Sequence, residues 1–86
     1  MFITYILRSK TTGRYYTGYT TDIVKRLNYH NQGKNKSTKA GMPWELVYSE
    51  TFNIKSEAWK RERQIKSYKG GEAFKKLVKK PDWKSG

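Results

Sequence analysis

Five side chains in this sequence are of types that can act together on a phosphate ester: Tyr5, Tyr16, Arg26, His30 and Glu62. A carboxylate such as Glu62 is a hard oxygen ligand suited to Mg²⁺ or Mn²⁺. One such ion, with a guanidinium beside it, would offset the negative charge that builds up during in-line displacement at a phosphodiester. A phenol would handle the proton of an attacking water if a nearby cation lowered its pKa from about 10. Other catalytic sets are missing. One histidine and no cysteine leave no His/Cys metal cluster and no Cys–His nucleophile. No G-x-x-x-x-G-K-[ST] phosphate loop is present either.

Positioning these groups requires a hairpin first. The apolar-aromatic runs Ile3–Arg8 and Arg14–Tyr19 flank the turn-prone Lys10-Thr11-Thr12-Gly13, and runs bounded this way predict two antiparallel strands. Side chains alternate faces along a strand: a two-residue loop at Thr11-Thr12 pairs Tyr5 with Gly18, a register slipped by two residues pairs it with Tyr16, and either way Tyr5, Tyr16 and Gly18 fall on one side. A glycine inside a strand weakens it and marks a place where another group comes close. Gly18 is therefore expected to leave open space beside two phenols. The plainer alternative is a pair of core tyrosines around a bulge glycine.

A helix over Asp22–Gln32 should follow, capped by Thr20 or Thr21 and stopped near Gly33. Its buried stripe would be Ile23, Leu27 and His30, with Arg26 at the stripe's edge. Arg26 and His30, one turn apart, would both point toward the sheet. Arg26 could instead pair with Asp22, and His30 could simply pack. The polar stretch from Gly33 to Pro43 carries Lys34, Lys36 and Lys39 and reads as a mobile loop, its lysines either gripping phosphates or solvated. Trp44–Phe52 reads as a third strand with Trp44, Leu46 and Tyr48 on one face. A second helix should run from Glu57 to Tyr68 with Ser56 as its cap. On it Ala58, Glu62 and Ile65 share a stripe, with Arg61 and Arg63 turned to solvent. A carboxylate at an apolar position must be paired, metal-bound or protonated. Lys66 one turn on is the candidate partner if no metal is held. Gly70-Gly71 breaks the chain before a short amphipathic helix over Glu72–Lys79, and Pro81–Gly86 reads as a loose tail after a single domain spanning 1–80.

Charge narrows the partner. Among 86 residues, nineteen Lys/Arg oppose seven Asp/Glu, a net charge of +12. Such an excess favours a polyanion, because protein cations displace counterions condensed on phosphate. No segment pairs a broad apolar face with a basic one as a membrane-surface helix does, and no apolar run is long enough to span a bilayer, so no membrane association is expected. The start M-F-I-T-Y-I-L-R lacks the basic and cleavage features of a signal peptide. With no cysteine to oxidise, a cytoplasmic location is expected. The sequence sets no oligomeric state.

These residues, in this order, resemble the GIY-YIG endonucleases, and most closely the small stand-alone bacterial subgroup similar to the N-terminal nuclease domain of a bacterial excinuclease. Ile3-Thr4-Tyr5 stands for the first motif and Tyr16-Thr17-Gly18 for the second. Arg26 and His30 follow at the family's helical spacing, and Glu62 matches its metal-binding glutamate. Ile3 and Thr4 depart from the usual Gly and Ile, and Thr17 from the usual middle residue. The resemblance implies an α+β fold with a three-stranded antiparallel sheet flanked by helices, ordered β-β-α-β-α-α. It implies hydrolysis of a DNA phosphodiester with one Mg²⁺ or Mn²⁺ on Glu62, the DNA being branched or damaged in one case and linear in the other, a choice the sequence leaves open. Tyr5 would act as general base or water-positioner, and Tyr16 would orient water or phosphate. Gly18 would give space, Arg26 would stabilise phosphoryl charge and His30 would assist with a proton or a phosphate contact. The alternative is a basic nucleic-acid-binding module whose nuclease site no longer works.

Overall fold

The computed structural model describes residues 1–79, and Pro81–Gly86, read above as a tail, lies outside them. Strands β1 (Phe2–Ser9) and β2 (Tyr15–Thr20) form the expected hairpin. Its register pairs Tyr5 with Gly18 and Leu7 with Tyr16. Gly13 closes the turn at φ 75°, a left-handed conformation that glycine adopts without steric cost. Ser9 knits the turn from inside, its buried hydroxyl accepting from the N–H groups of Thr11 and Thr12 at 3.2 and 2.9 Å.

Strand β3 (Trp44–Phe52) pairs antiparallel with the other side of β1, so the order across the sheet is β2-β1-β3. Helices cover both faces. Helix α1 (Ile23–Asn31) packs on the side of Tyr5 and Leu7, while α3 (Lys55–Ser67) and α4 (Glu72–Val78) pack on the side of Thr4 and Ile6. As the central strand, β1 is enclosed from Thr4 to Leu7, which explains its short continuous apolar run. One core holds Tyr5, Leu7 and Trp44, and the other holds Ile6, Ile65 and Phe74.

The architecture is the expected α+β sheet flanked by helices, with one addition. A one-turn helix, α2 (Lys36–Lys39), forms inside the segment read as a mobile loop. Asn35 caps it, its side-chain oxygen accepting from the Ser37 N–H at 2.9 Å, and Thr38 is driven inside at 1% exposure.

Other details depart from the sequence reading for physical reasons. Asp22, rather than Thr20 or Thr21, caps α1, accepting from the Lys25 N–H at 3.1 Å. A carboxylate both accepts that bond and complements the positive end of the helix. Thr20 instead accepts from the Asp22 N–H and shapes the approach to the cap. Helix α3 begins at Lys55, so Ser56 lies inside its first turn, and Ile54 takes the cap position with no side-chain bond. Strand β3 carries one extra residue: Ile6 pairs with Tyr48 but Leu7 pairs with Leu46. This bulge at Val47 breaks the alternation. Trp44 therefore joins the Tyr5 core while Tyr48 joins the Ile6 core, and the three residues do not share a face.

Candidate active site

The Tyr5 phenol lies over Gly18. A Cβ added to Gly18 would stand 2.8 Å from the Tyr5 hydroxyl and 3.3 Å from the Tyr16 ring. The space expected beside the phenols is thus filled by them, and Gly18 is needed so that Tyr5 can cross β2. No bulge interrupts the β1–β2 ladder there. The Tyr5 and Tyr16 rings lie 6.4 Å apart, and the imidazole of His30 is 4.8 Å from the Tyr16 ring centre.

His30 closes this cluster from α1. It is fully buried, with Nε2 3.3 Å from the Tyr5 hydroxyl and Nδ1 2.9 Å from Thr38 Oγ1. The Thr38 hydroxyl also points back at the carbonyl of Asn35, 3.4 Å away. With its hydrogen directed there, Thr38 accepts from His30 Nδ1–H, and Nε2 is left bare to accept from the phenol. The network thereby assigns the neutral Nδ1–H tautomer. Burial, and secondarily the charge of Arg26, hold the imidazole pKa below its usual 6.5. Thr38 was missed in the sequence because the stretch around it was read as loop. The Asn35 cap three residues ahead was the available signal.

Arg26 makes no ion pair with Asp22, which is occupied at the helix cap. Its guanidinium lies 5.3 Å from the ring centre of Tyr29. It also lines a surface cleft of about 470 Å³ shared with Lys25, Tyr29 and Lys34. Lys34 thus sits in the same concavity as Arg26, whereas Lys36 and Lys39 are exposed on α2 and are not part of its lining.

Glu62 holds the stripe position expected of it between Ala58 and Ile65, with its side chain 15% exposed. Helix α3 packs beneath β1 and the edge strand β2, and the Tyr5 phenol leans over β2 from the opposite face. The phenol's pKa is raised. Burial above all, then Tyr16, push it well above 10. Glu62 adds to the rise and Arg26 opposes it. Arg61, expected in solvent, is turned inward instead. Its Nε donates to Glu50 at 2.8 Å, and its side chain also meets Tyr48, Gln64 and Tyr68. That network ties α3 to β3.

Glu62 also meets Lys66 at 3.2 Å, but the lysine side chain is 56% exposed. The ammonium end of this i,i+4 pair stays largely in water, where solvent screens it, so the contact holds Lys66 only weakly. Among the described residues, no group of three or more His, Asp or Glu side chains gathers to hold a metal. The donor set fits an ion that is bound by one carboxylate and completes its shell with water and substrate phosphate, the usual habit of Mg²⁺.

Comparison with known proteins bears on this arrangement. The family model of the GIY-YIG catalytic domain matches residues 1–76, from the start of the hairpin well into α4. The chain belongs to the GIY-YIG family. This makes it a member of a nuclease family. A UPF0213 protein of Streptococcus agalactiae is 54% identical over 55 residues, covering 63% of this chain and 62% of that relative's own length. One from Staphylococcus haemolyticus is 43% identical over 74 residues, covering 85% of this chain and 89% of the relative. The solution NMR structure of a UPF0213 protein from Bacillus halodurans is 37% identical, covers 85% of this chain and 90% of that one, and superposes with a TM-score of 0.46.

Proposed function

We propose that this GIY-YIG chain is a metal-dependent endonuclease that hydrolyses DNA phosphodiester bonds with structural selectivity or weak sequence preference. The observation that carries the reading is the Tyr5 hydroxyl, held over Gly18 and bonded to a bare His30 nitrogen, with Arg26 on the helix that carries His30 and Glu62 on the helix packed beneath β2.

Glu62 would hold a divalent ion, which would supply Lewis-acid stabilisation of the phosphoryl group. The remaining work falls to side chains of this chain. Arg26, beside a cleft that also bears Lys25 and Lys34, draws a backbone phosphate in and offsets charge as the bond to the leaving oxygen lengthens. Tyr5 starts protonated, because burial holds its pKa high. It therefore does not act as a standing phenolate. Its proton already points at His30 Nε2, so its lone pairs are free for the O–H of an attacking water. As that water attacks, its proton passes to the Tyr5 oxygen and the phenol proton passes to His30. Thr38 holds the imidazole in the tautomer this transfer needs. Tyr16, its ring tilted 58° against that of His30, limits the orientation of water and phosphate.

The test is incubation of branched, single-stranded and duplex DNA with the protein and Mg²⁺ or Mn²⁺. Scission by the wild type that falls at least a hundredfold in Glu62→Gln is expected, since loss of one such charge stabiliser costs about that much or more. Scission undiminished in Glu62→Gln would reject this site. Salt-sensitive binding without scission would favour the binding-module alternative.

A further inference from the structure

Two clefts adjoin at Arg26 and share part of their lining. The one described above shares Thr20, Thr21 and Arg26 with a second, also about 470 Å³, which adds Phe2, Tyr19 and Lys55. Tyr19 and Lys55 in turn line a third cleft of about 510 Å³ with Ile54, Ser56 and Trp59. The third is the apolar end of the run. Trp59 is 44% exposed and Ile54 56% exposed, among the largest apolar side chains left in water. The Arg63 guanidinium lies 5.0 Å from the Trp59 ring centre. An exposed tryptophan and isoleucine are not required by either core, because Ala58 and Ile65 provide the packed face of α3.

We propose that the Tyr19–Ile54–Trp59 pocket binds an unpaired nucleobase of a DNA strand whose adjoining phosphates pass over Lys55 and Arg26. This rests on the nucleic-acid reading given above and extends it to the form of the substrate. The chemistry of the run argues for the occupant. Aromatic surface with cations on its flanks is how proteins hold single strands, since every base has a face that stacks and every linkage carries a charge. The bases of an intact duplex are stacked on one another and cannot enter such a pocket. A base that has left the helix, at a branch or a single-stranded flank, can. The shared lining from Lys55 to Arg26 places that base within a few nucleotides of the phosphate that Arg26 contacts. The site therefore selects for unpaired DNA beside the bond to be cut.

Binding without a divalent ion tests this apart from hydrolysis. Anisotropy titrations at low salt in EDTA would compare a dye-labelled oligothymidylate of about a dozen nucleotides with a duplex of the same length. Trp59→Ala is expected to weaken oligothymidylate binding about tenfold while leaving the duplex unchanged, and Trp59→Phe, which keeps a stacking ring, is expected to restore most of it. As a measurement that needs no change at this pocket, oligothymidylate should quench the tryptophan emission of a Trp83→Phe protein, whose remaining tryptophans are buried Trp44 and exposed Trp59. Equal binding by wild type and Trp59→Ala, or equal losses on both DNAs, would overturn the site and leave the nuclease reading standing. A wild type that binds neither DNA would overturn both. A dimer that Trp59→Ala converts to monomer with DNA affinity unchanged would assign the patch to a second copy of the chain and also overturn the proposal.

Discussion

The imidazole of His30 has no exposure to water, and both of its nitrogens are occupied by hydroxyl groups. Burial and the Arg26 charge disfavour its protonated form. The folded chain then binds fewer protons than the unfolded one once the pH drops below the unfolded imidazole value of about 6.5. Stability from this residue is thus complete above about pH 6.5 and is lost as the pH falls from there toward the folded value. Tyr5 works with the opposite sign: its phenol pKa is raised, so its contribution persists through neutral pH and declines only above about pH 10. The same protonation state matters to the proposed relay, since only neutral His30 can accept the phenol proton. An NMR titration of the His30 ring should give a midpoint below 6.5, and scission should fall on the acid side with that midpoint. A midpoint at or above 6.5 would contradict the assigned environment.

At the level of elements, α2 is the piece that turns a packed histidine into an oriented one. Thr38→Val keeps the shape but removes the acceptor for His30 Nδ1–H. Leaving a buried donor unpaired costs about 1–3 kcal/mol, so urea unfolding should show a loss of that size. Scission should fall as well, through loss of imidazole orientation. A neutral effect on both would mean that α2 does not hold His30. This element was hidden in the sequence, because Gly33–Pro43 carries the composition of a loop and a single turn leaves no periodicity to detect. The structure selects the Gly18 register for Tyr5 from the two that counting allows, while the hairpin itself and the common face of Tyr5, Tyr16 and Gly18 were legible. So were the α1 stripe and the inward position of Glu62, which rest on helical spacing alone. The faces of β3 were not, since one extra residue at Val47 reverses every side chain beyond it. Arg61 was misplaced for a related reason. Spacing put it beside the buried stripe, but the partner that draws its guanidinium inward, Glu50, comes from another element.

Seen as a whole, the molecule is one enclosed strand, β1, with a core on each face and Tyr5, Tyr16 and His30 clustered on one of them beside the edge strand β2. A net charge of +12 on 86 residues favours contact with polyanions without regard to their sequence. What would distinguish a nuclease from a merely basic domain is where on that surface a divalent cation settles. A small, strongly cationic protein repels free cations generally, so a localised site would have to come from a specific ligand, and Glu62, on the helix packed beneath β2, is the group placed to act as one. Titration of ¹⁵N-labelled protein with Mn²⁺ at substoichiometric levels measures this directly, because amide signals near the ion broaden. Broadening centred on Glu62 and extending to Tyr5, Gly18 and Arg26, and absent in Glu62→Gln, is the predicted result. Broadening centred on another acidic residue, or unchanged in Glu62→Gln, would contradict it.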